Sequence, residues 1–209
     1  VKYEVPTVKV TGGQRIDLLG IPKENLNDMW DEIADAGMES GYAYGKATRT
    51  CKSCVGSEHC LMGTQDSMGL SVKMEDAVWS HFMPHKFKMG VSGCPRNCAE
   101  ATIKDFGVIC TEKGYEIHVA GACGIRTKAC LKDRFFEIED EVIEYLKAFT
   151  QLYRVEANYL ERVMHFEERV GLDYIQSQLD TPEKIKQWAD RLPNTIKNPW
   201  VTTDHRKTA

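Results

Sequence analysis

The sequence predicts an α+β protein. Three observations carry the prediction: β-branched extended runs followed at once by an amphipathic stretch, two alternating segments in mid-chain, and a long helical texture from Glu137 onward. Alternation at period 2 argues for strands, and recurrence at i, i+3, i+4 and i+7 argues for helices.

Residues 1–20 read as extended. Val5, Val8 and Val10 are β-formers, Pro6 marks a strand edge, and Gly12-Gly13 marks a turn. In Gln14-Arg15-Ile16-Asp17-Leu18-Leu19-Gly20, Arg15 and Asp17 share one face and Ile16 and Leu18 the other. After Pro22, the apolar stripe Leu26, Met29, Trp30 and Ile33 predicts a helix ending near Gly37. Residues 41–72 read as irregular, punctured by Gly41, Gly45, Gly56, Gly63 and Gly69. A loop that long inside a compact domain is usually functional. A short helix is expected over residues 73–81, with Met74, Val78 and Phe82 on one side and Pro84 as its stop.

Lys86 and Lys88 then fall in strand alternation, with Phe87 and Met89 on the opposite face. One or two helical turns are expected over residues 99–104. A hairpin follows, with arms over 105–111 and 115–120 joined through Lys113-Gly114. Residues 121–128 form a Gly-rich, basic loop. Val142, Tyr145, Leu146, Phe149, Leu152 and Tyr153 make a strong helical stripe; Tyr159, Leu160 and Val163 extend it, with a break, toward Gly171. Asp180-Thr181-Pro182-Glu183 opens a last helix bearing Ile185, Trp188 and Leu192, and the polar tail after Pro193 is expected to be loosely held.

A chain of 209 residues suits one domain, or one domain with a small appendage. A net charge of −4 gives no reason to expect nucleic acid or a membrane surface as partner. No apolar run is long enough to span a bilayer, and no signal-peptide core is present, so a cytoplasmic protein is expected. The chain opens on Val1 rather than Met, which fits processing or truncation. Eight cysteines crowd around Gly and Pro without an export signal. That pattern favours reduced thiolates binding metal over a disulfide framework.

The thiols fall into two pairs, Cys54-x5-Cys60 and Cys94-x3-Cys98. An iron–sulfur cluster needs soft, deprotonated ligands at fixed geometry. The turn from Gly93 to Cys98 can present two sulfurs, and its N–H groups can stabilise negative charge on a cluster. Structural zinc is the alternative, since Cys51-x2-Cys54 has zinc spacing and could join Cys94 and Cys98. Cys110, Cys123 and Cys130 read as buried thiols. Arg15, Lys46, Arg49, Lys52, Lys86, Lys88, Arg96, Arg126 and Lys128 all fall in segments near the cysteines. Such concentration in an otherwise acidic chain suggests an anionic ligand or substrate.

The run Gly93-Cys94-Pro95-Arg96-Asn97-Cys98-Ala99-Glu100-Ala101, followed by Lys104-Asp105-Phe106-Gly107, resembles the signature of the sirohaem-dependent nitrite and sulfite reductases. Cys54-x5-Cys60 is similar to that family's other half-motif. The stretches 11–20, 151–154 and 169–174 resemble the sirohaem segment of its NAD(P)H-dependent members, and the likeness runs from about residue 7 to 178.

The resemblance implies a partial ferredoxin-like unit over 1–40, a sirohaem and [4Fe–4S] domain of α/β type over 41–180, and a helix with tail over 181–209. It implies that Cys54, Cys60, Cys94 and Cys98 hold a [4Fe–4S] cluster, with Cys98 also the axial ligand of the sirohaem iron. Lys46, Lys52, Arg96, Asn97, Arg126 and Lys128 are then expected to hold the carboxylate-rich sirohaem. Arg15, Arg49, Lys86 and Lys88 are expected to bind the substrate oxyanion and assist protonation of departing oxygen. The reaction implied is six-electron reduction of sulfite to sulfide, or of nitrite to ammonia. The chain's stand-alone size resembles low-molecular-weight assimilatory-type sulfite reductases and puts sulfite first. A non-catalytic iron–sulfur subunit is the remaining alternative. With no GxGxxG fingerprint, the chain is expected to draw electrons from a ferredoxin-like donor, and a homo-oligomer could complete its shortened N-terminal unit.

Overall fold

The computed structural model describes residues 2–38, 45–79 and 81–193. The tail after Pro193 and the expected break at Gly41 lie outside the described residues.

The α+β expectation holds. Near the start, β1 (Thr7–Val10) pairs antiparallel with β2 (Ile16–Leu19), Val8 opposite Leu18 and Val10 opposite Ile16. Those four side chains share one face, as alternation dictates, yet Val8, Val10 and Ile16 stay exposed. After a 3-10 turn at Lys23–Asn25, helix α1 (Leu26–Asp35) runs to Gly37, whose φ of +80° suits a residue without Cβ. Its stripe buries Met29 and half-buries Leu26 and Ile33; Trp30, expected beside them, is exposed.

The main sheet has the order β3 (Lys52–Ser53), β4 (Met89–Ser92), β5 (Phe106–Thr111), β6 (Gly114–Val119) and β7 (Leu131–Phe136). The first three strands are parallel and the last three antiparallel. The expected hairpin is β5–β6, with Thr111 opposite Gly114. Lys86 and Lys88 lie in extended backbone just before β4 rather than in it. Phe87 bridges Thr48 there, its N–H bonding to the Ala47 carbonyl at 3.0 Å. Phe87 and Met89 are buried, as the alternation requires.

The segment read as irregular contains α2 (Gly56–His59) and α3 (Ser67–Val78). Helix α3 starts at Ser67 because Asp66 caps it, its Oδ1 accepting the Gly69 N–H at 2.9 Å. It ends at Val78, where Trp79 turns extended, so Pro84 is not its stop and Phe82 lies beyond it. The long stripe is α4 (Glu139–Glu156). Tyr159 and Leu160 do not extend it; they are exposed in the connection to α5 (Val163–Val170). A further helix, α6 (Leu172–Gln178), follows Gly171, and α7 (Pro182–Asp190) opens at Thr181, whose Oγ1 accepts the Lys184 N–H at 3.3 Å.

One face of the sheet carries the core. Phe87, Met89, Val91, Phe106, Val108 and Ile117 meet Leu70 and Met74 of α3 and Tyr145, Phe149, Leu152 and Tyr153 of α4. The rings pack at Phe106–Phe149 5.6 Å and Phe87–Tyr153 6.0 Å. Ile185 and Ala189 bring α7 into the same core. On the other face, a Cβ at Gly107 would lie 2.1 Å from the Ala101 carbonyl oxygen, and one at Gly90 would lie 3.0 Å from Lys104 Cγ. These two glycines let a 3-10 turn, Ala101–Ile103, lie directly on the strands. Among the described residues no helix is long and apolar enough to cross a membrane.

Candidate cluster and anion site

The two thiol pairs emerge from the carboxyl ends of the parallel strands β3 and β4, where loops of such sheets gather ligands. Their loops are stitched at Gly93. Its carbonyl accepts the N–H of Thr64 at 2.7 Å, that of Gln65 at 3.4 Å and the Thr64 hydroxyl at 2.9 Å. Its N–H donates to Cys54 Sγ at 3.1 Å. A Cβ on Gly93 would lie 2.9 Å from Gly56 Cα and 3.3 Å from Cys54 Sγ, so only glycine allows this approach. Burial pushes the Cys54 thiol up, but contacts from the Ser67 hydroxyl and the Gly93 and Gly56 N–H groups outweigh it and leave the pKa lowered. These donors favour the deprotonated form of Cys54 more than an ordinary thiol's surroundings would.

Cys54 and Cys60 are partly buried, Cys94 is buried and Cys98 is exposed. The turn carrying the last two is braced by Asn97, whose φ is +56°. Asn97 Oδ1 accepts the Ala101 N–H at 2.7 Å and the Ser92 hydroxyl at 3.1 Å, and its Nδ2 donates to Thr102 Oγ1 at 2.6 Å. Asn97 therefore shapes the backbone around Cys98. By donor chemistry, these thiols and the N–H-lined turn are of the kind an iron–sulfur cluster takes. Cys51 instead belongs to the buried core, where burial drives its thiol far up. Among the described residues no three His, Cys, Asp or Glu side chains converge as a single metal ion needs.

Cys110 is buried, and burial together with the nearby Cys54 and Cys94 pushes it up to about 12. Cys130 is also held at about 12, mainly by burial, and its thiol donates to the Lys104 carbonyl at 3.1 Å. Cys123, expected to be buried, is exposed, because residues 123–127 stand out from the sheet end as an exposed loop.

The expected cations divide into two groups. Lys46 lies over the Tyr159 ring at 4.4 Å and bonds its hydroxyl. Lys52 shares Glu100 with Lys104, at 3.1 Å and 3.3 Å. Arg126 grips Glu168 with two bonds of 2.9 Å and 2.7 Å, and Lys128 pairs with Glu167 and Glu168. Arg96 is exposed. By contrast, Arg15, Arg49, Lys86 and Lys88 have no carboxylate partner among the described residues. Burial and then Arg15 pull Arg49 down, and Arg49 Nε is buried without a partner. Partial desolvation, then Lys86, Arg162 and Lys104, pulls the Lys88 ammonium down.

Three residues at this site draw no role from the sequence pattern, although Asp105 and Gln14 lie in the stretches that carry the family resemblance. Asp105 is wholly buried and receives Arg162 through contacts of 2.8 Å and 2.9 Å while its Oδ2 accepts the Lys88 N–H at 2.8 Å. His85 accepts the Lys86 N–H at Nδ1, 2.8 Å, and sits among Arg162, Lys86, His165 and Arg49. Gln14 touches Ser53 with both ends of its amide.

The fold is a mixed α+β domain that gathers two cysteine pairs at the carboxyl ends of its parallel strands and basic residues beside them. The chain belongs to the family described as the nitrite and sulphite reductase 4Fe-4S domain, which it matches over residues 44–187. It is 48% identical over 202 residues to nitrite reductase [NAD(P)H] of Bacillus subtilis, covering 95% of this chain and 25% of that protein. It is 34% identical over 177 residues to the assimilatory-type sulfite reductase of Nitratidesulfovibrio vulgaris, covering 84% of this chain and 79% of that one. The fold matches that of dissimilatory sulfite reductase I with a TM-score of 0.75 at 17% identity, over 84% of this chain and 62% of the other. The chain spans about a quarter of the length of the Bacillus subtilis nitrite reductase. The family is one of oxidoreductases, and the cofactor pair expected above, a [4Fe–4S] cluster with sirohaem, is the family's own.

Proposed function

We propose that this chain is the anion-reducing domain of a nitrite reductase. The reading rests on one observation: among the described residues Arg15, Arg49, Lys86 and Lys88, like the exposed Arg96, form no ion pair, whereas Lys52, Arg126 and Lys128 pair with carboxylates and Lys46 with Tyr159. Lys88 precedes β4 and Cys94 follows it, so the lysines and the Cys94–Cys98 turn flank opposite ends of one strand.

In this reading Cys54, Cys60, Cys94 and Cys98 hold the cluster, and exposed Cys98 is the thiolate offered to the haem iron. Arg96 and the exposed loop around Arg126 are the cations placed to meet haem carboxylates. When bound, the cofactors supply the electrons and the site of reduction. The chain's own part is electrostatic and acid–base. Arg15 and Arg49 bind the oxyanion. Lys88, whose ammonium is destabilised by partial burial and then by its cationic neighbours, gives up a proton more readily than an ordinary lysine and donates it to the departing oxygen. Electrons come from a ferredoxin-like protein or domain, in the cytoplasm, where eight free thiols remain reduced.

The sequence put sulfite first; the higher identity to NAD(P)H nitrite reductases moves the reading to nitrite. The test is steady-state assay of the cofactor-loaded protein with both anions and a chemical reductant. Nitrite should be turned over with the higher kcat/KM. A higher value for sulfite would replace the substrate, and turnover of neither would sink the reading.

A further inference from the structure

At the tip of the β1–β2 hairpin, Gln14 bonds to the outer strand of the main sheet. β3 is the outer strand and pairs inward with β4, Ser53 opposite Val91. In a parallel pair, alternate residues direct both backbone polar groups to one side. The Cys54 N–H bonds inward to the Val91 carbonyl at 3.3 Å, so Ser53 presents its N–H and C=O outward. Gln14 takes both: its Nε2 donates to the Ser53 carbonyl at 3.0 Å, and its Oε1 accepts the Ser53 N–H at 2.8 Å. The edge is thereby covered as if by another strand.

The tip that carries Gln14 is itself closed. Gln14 has a φ of +59°, its N–H bonds to the Thr11 carbonyl at 3.1 Å, and the Arg15 N–H bonds to Thr11 Oγ1 at 3.1 Å. Arg15 folds over Gly13, where a Cβ would lie 2.9 Å from Nη1, and stands close enough to Arg49 to depress it. Like charges repel, so each guanidinium disfavours the other's approach. Neither has a carboxylate partner among the described residues to offset that repulsion, so their approach needs a restraint.

We propose that Gln14 is a positioning residue: by clamping the hairpin tip to Ser53, it holds Arg15 against Arg49 so that both cations converge on one anion. The inference rests on the reading of Arg15 and Arg49 as anion ligands. Gln14→Leu keeps the length and removes both bonds. In the cofactor-loaded protein it should raise the nitrite KM about 3- to 10-fold, as loss of two ordinary hydrogen bonds allows, with kcat and visible spectrum unchanged. The Ser53 amide should exchange hydrogen faster. A Gln14→Leu/Arg15→Ala double variant should be no worse than Arg15→Ala alone, because the two act through one contact. A wild-type KM in Gln14→Leu, or losses that add in the double variant, would overturn the clamp while leaving the anion site standing. An Arg15→Ala variant with unchanged nitrite KM would overturn the anion reading of Arg15 and the clamp with it.

Discussion

Arg162 and Asp105 form a buried ion pair across 57 residues of chain, with the carboxylate held at 2.8 Å by Nη2 and its other oxygen accepting the backbone N–H of Lys88 at 2.8 Å. The pair thus ties α5's leading residue to the extended run that presents the lysines. Burial raises the Asp105 carboxyl, and Arg162 opposes that rise. Asp105→Asn would leave the guanidinium without its counter-charge. The expected loss is roughly 3–5 kcal/mol of stability, the usual cost of breaking a buried pair. Urea unfolding of wild type and variant measures it; a loss under about 1 kcal/mol would mean that Arg162 is better solvated than its geometry shows.

Lys88→Ala should spare the cofactors and slow the chemistry. Lys88 is an exposed residue with no ion pair among the described residues, so truncation leaves little unsatisfied. We expect kcat/KM for nitrite to fall roughly 10- to 100-fold, less than for a fully buried oxyanion donor. Visible spectra and iron content should match wild type.

Gly93→Ala should strike the thiol turns. The added methyl would meet Gly56 Cα at 2.9 Å and Cys54 Sγ at 3.3 Å. Overpacking of this kind costs about 1–3 kcal/mol, and here it would pry apart the two loops that carry the ligands. Iron and acid-labile sulfide per chain should drop while far-ultraviolet circular dichroism stays near wild type.

His85 gives a pH signature. Burial, followed by Arg162, Lys86, His165 and Arg49, lowers its pKa, so the neutral ring is favoured in the folded protein. Its contribution to stability is then present above the ordinary imidazole pKa and lost as pH falls through the depressed value. A nitrite ion bound among those cations would offset their charge and raise the His85 pKa. Chemical-shift titration of the imidazole with and without nitrite checks both signs. A ring that titrates at the ordinary value would place His85 outside the cationic cluster.

Much of the fold and the pattern behind the candidate site was legible because its signals are local. Cys54, Cys60, Cys94 and Cys98 stand at short spacings, Lys86 and Lys88 flank a buried Phe87, and the α4 stripe falls wholly on the core. What stayed hidden depends on distance or on masking. Strand β7 reads Leu-Lys-Asp-Arg-Phe-Phe, whose charges erase the apolar alternation. The start of α3 was obscured by Gly69 in its first turn, with only the Asp66 cap to betray it. Asp105 and Arg162 share no spacing that a periodic pattern could reveal. Trp30 fits the α1 stripe by number, yet it is exposed.

The open apolar side of the β1–β2 ribbon has a consequence for motion. A two-stranded ribbon with Val8, Val10 and Ile16 in water holds little stability of its own. Partial opening should therefore begin there, well below the free energy of global unfolding. Because Arg15 rides on that ribbon, an anion that engages it ties the ribbon down. Nitrite should then slow proteolytic nicking between Thr7 and Leu19, linking occupancy to local order.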